Sequence, residues 1–173
     1  EKRIHPYKDD KTLTDWNGLM IAALAKAGQA FDEPEYTAAA RKAGDFLLSK
    51  LRRSDGRLHK RYRNGNAGLP AHLEDYAFAT WGMIDLYEAT FEVRYLKAAV
   101  ELNEAMLKHF WDKKNGGLFM TADDGEKLLV RSKDIYDGAI PSGNSVAALN
   151  LLRLARMTGK TDYEKKADEL MKA

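Results

Sequence analysis

The chain repeats itself. Shifted by 60 residues, Asp15-Trp16 falls on Asp75-Tyr76, Phe31 on Phe91 and Gly56 on Gly116; shifted by 59, Tyr36 falls on Tyr95. A further 68 residues carry Tyr76 to Asn144 and Tyr95 to Tyr163. A unit of that length holds two helices, a short turn between them and a long loop after them. One such hairpin cannot bury its apolar face alone, so copies stack on their neighbours. The expected fold is therefore all-α: about three helical hairpins, inner and outer helices alternating, forming a segment of an α/α toroid. Three hairpins make part of a ring of six.

The helices themselves are legible. Thr12 or Thr14 caps a first helix over about Asp15 to Phe31, and Trp16, Met20, Leu24, Ala27 and Phe31 recur at helical spacing. Asp32-Glu-Pro-Glu35 reads as a stop followed by a capping box and a proline in the first turn. The second helix runs from about Pro34 to Arg52, with Tyr36, Ala40, Ala43 and Leu47 as its buried stripe. A third spans about Glu74 to Phe91, a fourth Val93 to Trp111, a fifth Asn144 to Thr158. Thr161 and Glu164 have capping-box spacing for a sixth. Residues 1–12 are an extended lead-in. Two long connections remain, over 53–72 and 112–141; long ordered loops tend to carry function. Arg57 to Arg63 reads as a short strand. Gly117 to Thr121 and Lys127 to Arg131 flank Asp123-Asp-Gly125 and read as a β-hairpin.

Composition sets bounds. Hydrophobic residues make up 45% of the chain and charged ones 31%, enough for a core and an ordinary polar surface. The net charge of +2 gives no reason to expect nucleic acid. With no cysteine, disulfides, thiolate metal sites and cysteine nucleophiles are excluded within this sequence. No apolar run approaches the roughly 18–20 residues that span a bilayer, and no signal peptide is visible, so a cytoplasmic protein is expected. His5, His59, His72 and His109 show no metal-ligand spacing, so neither a metal nor a cofactor is expected. The chain opens Glu1-Lys-Arg without an initiator methionine, and a piece of a longer protein is expected.

Three stretches carry the remaining signal: Thr14-Asp-Trp-Asn-Gly-Leu-Met20, Leu73-Glu-Asp-Tyr-Ala-Phe78 and Tyr136-Asp-Gly-Ala-Ile-Pro-Ser-Gly-Asn-Ser-Val-Ala-Ala-Leu-Asn-Leu-Leu152. Together they resemble the spermatogenesis-associated, thioredoxin-domain-containing family (bacterial YyaL type) over nearly the whole chain. The resemblance implies an α/α toroid similar to N-acylglucosamine 2-epimerases and six-hairpin glycosidases. It also implies, as partners, the rest of the toroid and a thioredoxin-like domain outside this chain. No reaction is implied, and no histidine here matches the epimerases' catalytic ones.

Each of the three stretches starts an inner helix, where N-termini favour anions and polar groups. Asp15, Glu74, Asp75 and Asp137 are the candidate acid and base groups; two carboxylates flanking a sugar need roughly 5–9 Å between them. Trp16 and Tyr76 are candidate stacking platforms. Asn17, Ser142, Asn144 and Ser145 are candidate hydrogen-bonding groups, His72 a candidate acid–base group, and Arg61, Arg63, Arg131 and Lys133 candidate anchors for an anion. Each has a structural alternative: helix cap or Asx-turn for the carboxylates, core packing for the aromatics, the fifth helix's cap for Ser142 to Ser145, exposed loop charge for the arginines. Ser142-Gly143 is not a nucleophile elbow. The leading expectation is a carbohydrate-like small-molecule site of isomerase, epimerase or glycosidase type. The alternative is a non-enzymatic helical-repeat scaffold for the thioredoxin-like domain.

Overall fold

The computed structural model describes residues 3–173; the first two residues of the expected lead-in lie outside it. Among the described residues six α-helices form three hairpins: α1 (Thr14–Phe31) with α2 (Pro34–Phe46), α3 (Leu73–Thr90) with α4 (Val93–Phe110), and α5 (Gly143–Thr158) with α6 (Thr161–Met171). α1, α3 and α5 stand side by side as an inner row, and each return helix packs outside its own partner. α2 ends in one wider π-helical turn over Leu47–Leu51.

The central helix explains the arrangement. α3 buries residues on nearly every side, among them Tyr76, Phe78, Met83, Ile84 and Leu86. A helix apolar all round must be covered all round. α1 approaches it backbone to backbone: a Cβ on Gly18 would stand 2.5 Å from the Phe78 carbonyl carbon, and one on Gly82 2.7 Å from the Gly18 oxygen. The outer helices repeat a tyrosine clasp. Tyr95 donates its hydroxyl to Asp45 of α2 at 2.9 Å, and Tyr163 makes a short hydrogen bond to Glu104 of α4.

Several expectations are corrected. The buried side of α1 is the small-residue face of Gly18, Ile21, Ala22, Ala25 and Gly28, while Trp16, Met20 and Phe31 stand in solvent. Close backbone packing selects the smallest residues for the contact, so the largest ones point away. Tyr36 of α2 is likewise exposed. Neither expected capping box forms: Glu33 and Lys160 are the residues before α2 and α6, and neither makes a side-chain cap. The Thr14 hydroxyl donates to the His59 carbonyl instead of capping α1.

The β-hairpin lies in the first long connection rather than the second. β1 (Thr12–Leu13), β2 (His59–Arg63) and β3 (Asn66–Pro70) form a three-stranded antiparallel sheet in that order. Tyr62 pairs with Thr12 and with Ala67. Its turn is Asn64-Gly65, both at positive φ (50° and 76°), the geometry a two-residue hairpin with right-handed strand twist demands. Residues 112–141 form no strand; the Met120 amide donates to the Ser132 carbonyl at 2.8 Å without a ladder around it. No helix among the described residues is long and apolar enough to cross a membrane.

Candidate functional site

The inner-helix starts meet. The backbone N–H of Asp15, in the first turn of α1, donates to Asp75 Oδ1 in the first turn of α3 at 3.1 Å. The start of α5 sits against α3 as well: a Cβ on Gly143 would lie 2.8 Å from Leu73 Cγ and 3.3 Å from Glu74 Cγ.

At the α1–α3 junction lies a buried charged unit. Lys60, carried in by β2, reaches Asp15 Oδ2 at 2.7 Å and Asp75 Oδ1 at 3.2 Å. Asp75 Oδ2 accepts from the His72 backbone N–H at 2.8 Å. Asp75 is fully buried, and burial pushes its carboxyl up to about 7 against the pull of Lys60. Burial weakens the Lys60 ammonium, but the two carboxylates outweigh it and leave its pKa raised. Burial, then the Lys60 charge, lower the pKa of His72, so its ring favours the neutral form.

This changes the part each predicted residue can play. Asp75 cannot touch a ligand, because it is enclosed and both oxygens are engaged. Asp15, with 7% of its surface exposed, is nearly as enclosed and is tied to Lys60. Lys60 stands between the two carboxylates where a sugar would have to lie. Tyr76 is buried in the core, its hydroxyl accepting from the Leu58 N–H at 3.0 Å and its ring 5.2 Å from that of Phe110. Asn144 is also spent: it accepts from Leu118 N–H at 2.9 Å and donates to the Leu118 and Asp134 carbonyls at 3.0 and 2.8 Å, pinning the second long loop. Ser142 caps α5, accepting from the Ser145 N–H at 3.1 Å. Asp137 accepts from the Ser142 N–H at 2.8 Å and the Ser145 hydroxyl at 2.9 Å; these bonds hold its pKa below the usual carboxylate value. Asn17 donates to the Leu13 carbonyl at 2.7 Å.

Four predicted residues keep reactive or stacking groups available. Glu74 is half-buried and its carboxylate has no hydrogen-bond or ion-pair partner among the described residues. His72 is exposed and lines, with Lys60, a cavity of about 540 Å³ between the β-hairpin and residues 121–128. Trp16 is 61% exposed. The Arg61 guanidinium folds over Gly68. Of the loop cations, Arg63 pairs with Asp10, Lys133 with Asp112, and Arg131 lies 4.1 Å over the Phe119 ring.

Two groups escaped the sequence reading. Lys60 is one; strand alternation in 57–63 was its only signal. The other is His109 with Asp123 and Asp124, whose ligand atoms lie within 4.8 Å of one another, as a metal site requires. Residues so far apart in sequence give no spacing pattern. Asp124 is already paired with Arg57 at 2.6 Å.

No family profile matches the chain. Spermatogenesis-associated protein 20 of Mus musculus is 40% identical over 95% of this chain and 22% of its own length. The Homo sapiens protein of the same name is 39% identical over 99% of this chain and 23% of its own length. The chain is a homologue of these proteins. It spans about a fifth to a quarter of their length. Among solved structures, a cellobiose 2-epimerase from Bacillus thermoamylovorans aligns at a TM-score of 0.78 with 14% identity, over 96% of this chain and 45% of its own. A GH76 α-mannanase from Bacteroides thetaiotaomicron gives 0.72 with 21% identity, over 95% and 44%. A D-mannose isomerase gives 0.74 with 17% identity, over 95% and 40%. At these identities the likeness shows the fold, and the fold is the α/α toroid.

Proposed function

We propose that this domain binds a carbohydrate-like molecule at the mouth of its inner helices and transforms it by proton transfer, as an isomerase, epimerase or glycosidase does. The carrying observation is the division of labour at the start of α3. Asp75 is buried and fully engaged, while Glu74 before it and His72 before that present unspent acid–base groups. Asp15, Lys60 and Asp75 are positioning residues that fix the α1–α3 junction, and burial with the Lys60 charge biases His72 toward the neutral ring, the form that accepts a proton near pH 7. Glu74 is the complementary carboxyl. The solved toroids named as cellobiose epimerase, mannose isomerase and α-mannanase support this kind of chemistry by analogy of fold.

The test is a saccharide screen on the full-length protein by thermal shift and turnover. Substrate turnover that falls at least about a hundredfold in Glu74→Gln and His72→Gln, with the melting temperature kept, supports the proposal. Absence of any binding or turnover, or full turnover in both variants, overturns it.

One observation favours a scaffold instead. Leu129, Val130, Ile135 and Tyr136 stand 73–106% exposed on one unstructured strap, a surface suited to another protein domain. A thioredoxin-like domain that co-purifies with this chain, and releases it when Leu129 and Tyr136 become Asp, would favour that reading.

A further inference from the structure

A second cluster of titratable side chains lies outside the charged junction. His109 sits in the last turn of α4, and Asp123 and Asp124 come back to it from the loop that follows. His109 Nδ1 is 3.1 Å from Asp123 Oδ1 and 3.8 Å from Asp124 Oδ1, and the three ligand atoms all lie within 4.8 Å of one another. Backbone ties the two segments together: the Asp123 N–H donates to the His109 carbonyl at 2.8 Å. Arg57 takes the other oxygen of Asp124, Oδ2, at 2.6 Å, so Oδ1 is the one left facing the imidazole. Arg131 also reaches the His109 carbonyl, at 3.5 Å, and not the ring.

We infer that His109, Asp123 and Asp124 bind a divalent transition-metal ion of the Zn²⁺ kind. Two carboxylate oxygens converge on one ring nitrogen. A single N–H there satisfies one of them, whereas an ion with several coordination positions serves both. The spacing fits as well. An ion about 2.1 Å from each ligand sets neighbouring ligands about 3.4 Å apart in a tetrahedron and about 3.0 Å apart in an octahedron. The observed 3.1 and 3.8 Å fall around those values. The imidazole decides the class of ion: Mg²⁺ and Ca²⁺ take oxygen ligands, while a mixed nitrogen and carboxylate set suits Zn²⁺. Arg57 is the kind of outer partner that orients a ligating carboxylate. The His109 side chain is 16% exposed and both aspartates are open to solvent, so the ion has protein on one side and free positions on the other. Asp124, Thr121, Ala122 and Glu126 also line the cavity beside Lys60 and His72. The ion therefore fastens that wall of the cavity to α4. This inference goes beyond the carbohydrate reading and does not depend on it.

The experiment is calorimetric titration of the full-length protein with ZnCl₂, and with MgCl₂ for comparison, followed by hydrogen exchange with and without Zn²⁺. His109→Gln and Asp123→Asn should each remove one equivalent of bound Zn²⁺ relative to the unaltered protein, or weaken it at least about a hundredfold. Asp123 is exposed and asparagine keeps its shape, so the second variant guards against a folding effect of the first. His5→Gln, at an exposed histidine outside the cluster, should keep every equivalent. Zn²⁺ should slow exchange over 121–126 in the unaltered protein and in His5→Gln, and not in the two ligand variants; Mg²⁺ should not. Absence of saturable Zn²⁺ binding, or binding equal in number and affinity in the unaltered protein and both ligand variants, overturns the inference and leaves the carbohydrate reading standing.

Discussion

The backbone N–H of Asp15 donates to the carboxylate of Asp75 at 3.1 Å, so two residues 60 apart in sequence, equivalent in successive repeats, touch at the start of their helices. Each copy of the hairpin therefore presents its leading turn to the next. The contact also brings an aspartate into the interior, and Lys60 follows it as counter-charge. Removing one partner of a buried pair strands the other, which is why the junction is sensitive to single changes.

The junction gives stability a pH signature. The folded pKa of Asp75 lies near 7 against an ordinary value of 3.8, with Lys60, Asp15 and His72 as its charged and titratable neighbours. A raised folded pKa means the native state holds the proton that the unfolded chain releases. That part of stability is complete below the ordinary value and is lost as pH rises toward 7. His72, whose pKa is lowered, acts oppositely: stability is present above its ordinary value of 6.5 and falls as pH drops below it. Urea titrations of His72→Gln remove the opposing histidine, and stability should fall between about pH 4 and about pH 7, with Asp85, also raised by burial, contributing in the same direction. The double variant with Asp75→Asn should lose the share of that slope that Asp75 supplies and start about 2–4 kcal/mol less stable, since Asn keeps one acceptor for three donors.

The α1–α3 contact should tolerate no side chain. A methyl on Gly18 meets the Phe78 backbone at 2.5 Å, and backbone cannot move aside as a flexible side chain does. Gly18→Ala should cost about 2–3 kcal/mol, as overpacking does, whereas Gly65→Ala in the open hairpin turn should lose only what a positive φ costs, about 1 kcal/mol. Thermal melts of the two variants give the comparison.

What the sequence made legible follows from the same geometry. A repeat fixes the register of equivalent helix starts, so the meeting of Asp15 with Asp75, and of Gly143 with Glu74, could be anticipated before any coordinate. Periodicity also shows that α1 is a helix, but not which side is covered. Here Gly18 meets α3 and Gly28 meets Thr37 of α2 while Trp16 is left out, because backbone proximity outweighs side-chain area in choosing the face. Lys60 was hidden because its position depends on how β2 folds back, which no helical period encodes. The Asn64-Gly65 turn carried its own signal, yet the alternating run at 117–131 competed for the hairpin; that run is held by Asn144 and Arg131 rather than by a strand partner.

Phe91 should be replaceable with profit. It closes α3 in the left-handed region at φ 55°, where a Cβ is disfavoured, and it is 78% exposed. The equivalent position after α5 is Gly159, at φ 72°. Phe91→Gly should stabilise by about 0.5–1 kcal/mol, since relief of strain exceeds the loss of an exposed edge contact with Tyr87. A rise in the denaturation midpoint at unchanged slope is the expected reading; a fall would show that the ring contact matters more.

Asn144 separates a structural from a ligand-binding role. Its amide meets the Leu118 N–H, the Leu118 carbonyl and the Asp134 carbonyl, and it is 3% exposed. Leu118 is fully buried, so without the asparagine its N–H keeps no partner and no water. Asn144→Ala should cost about 2–3 kcal/mol from that unpaired donor alone. The loss should be local before it is global: hydrogen exchange at Leu118 and through 132–137 should quicken, while amides in α1 and α2 change only by the fall in overall stability. Asn144→Asp keeps the acceptor for Leu118 but loses both donations to carbonyls, so exchange should quicken at 132–137 and stay slow at Leu118. If both variants instead leave exchange in this loop unchanged, the pin is not what orders it, and the second long connection is held by its other bonds, those of Asp124, Arg131, Lys133 and Asp137.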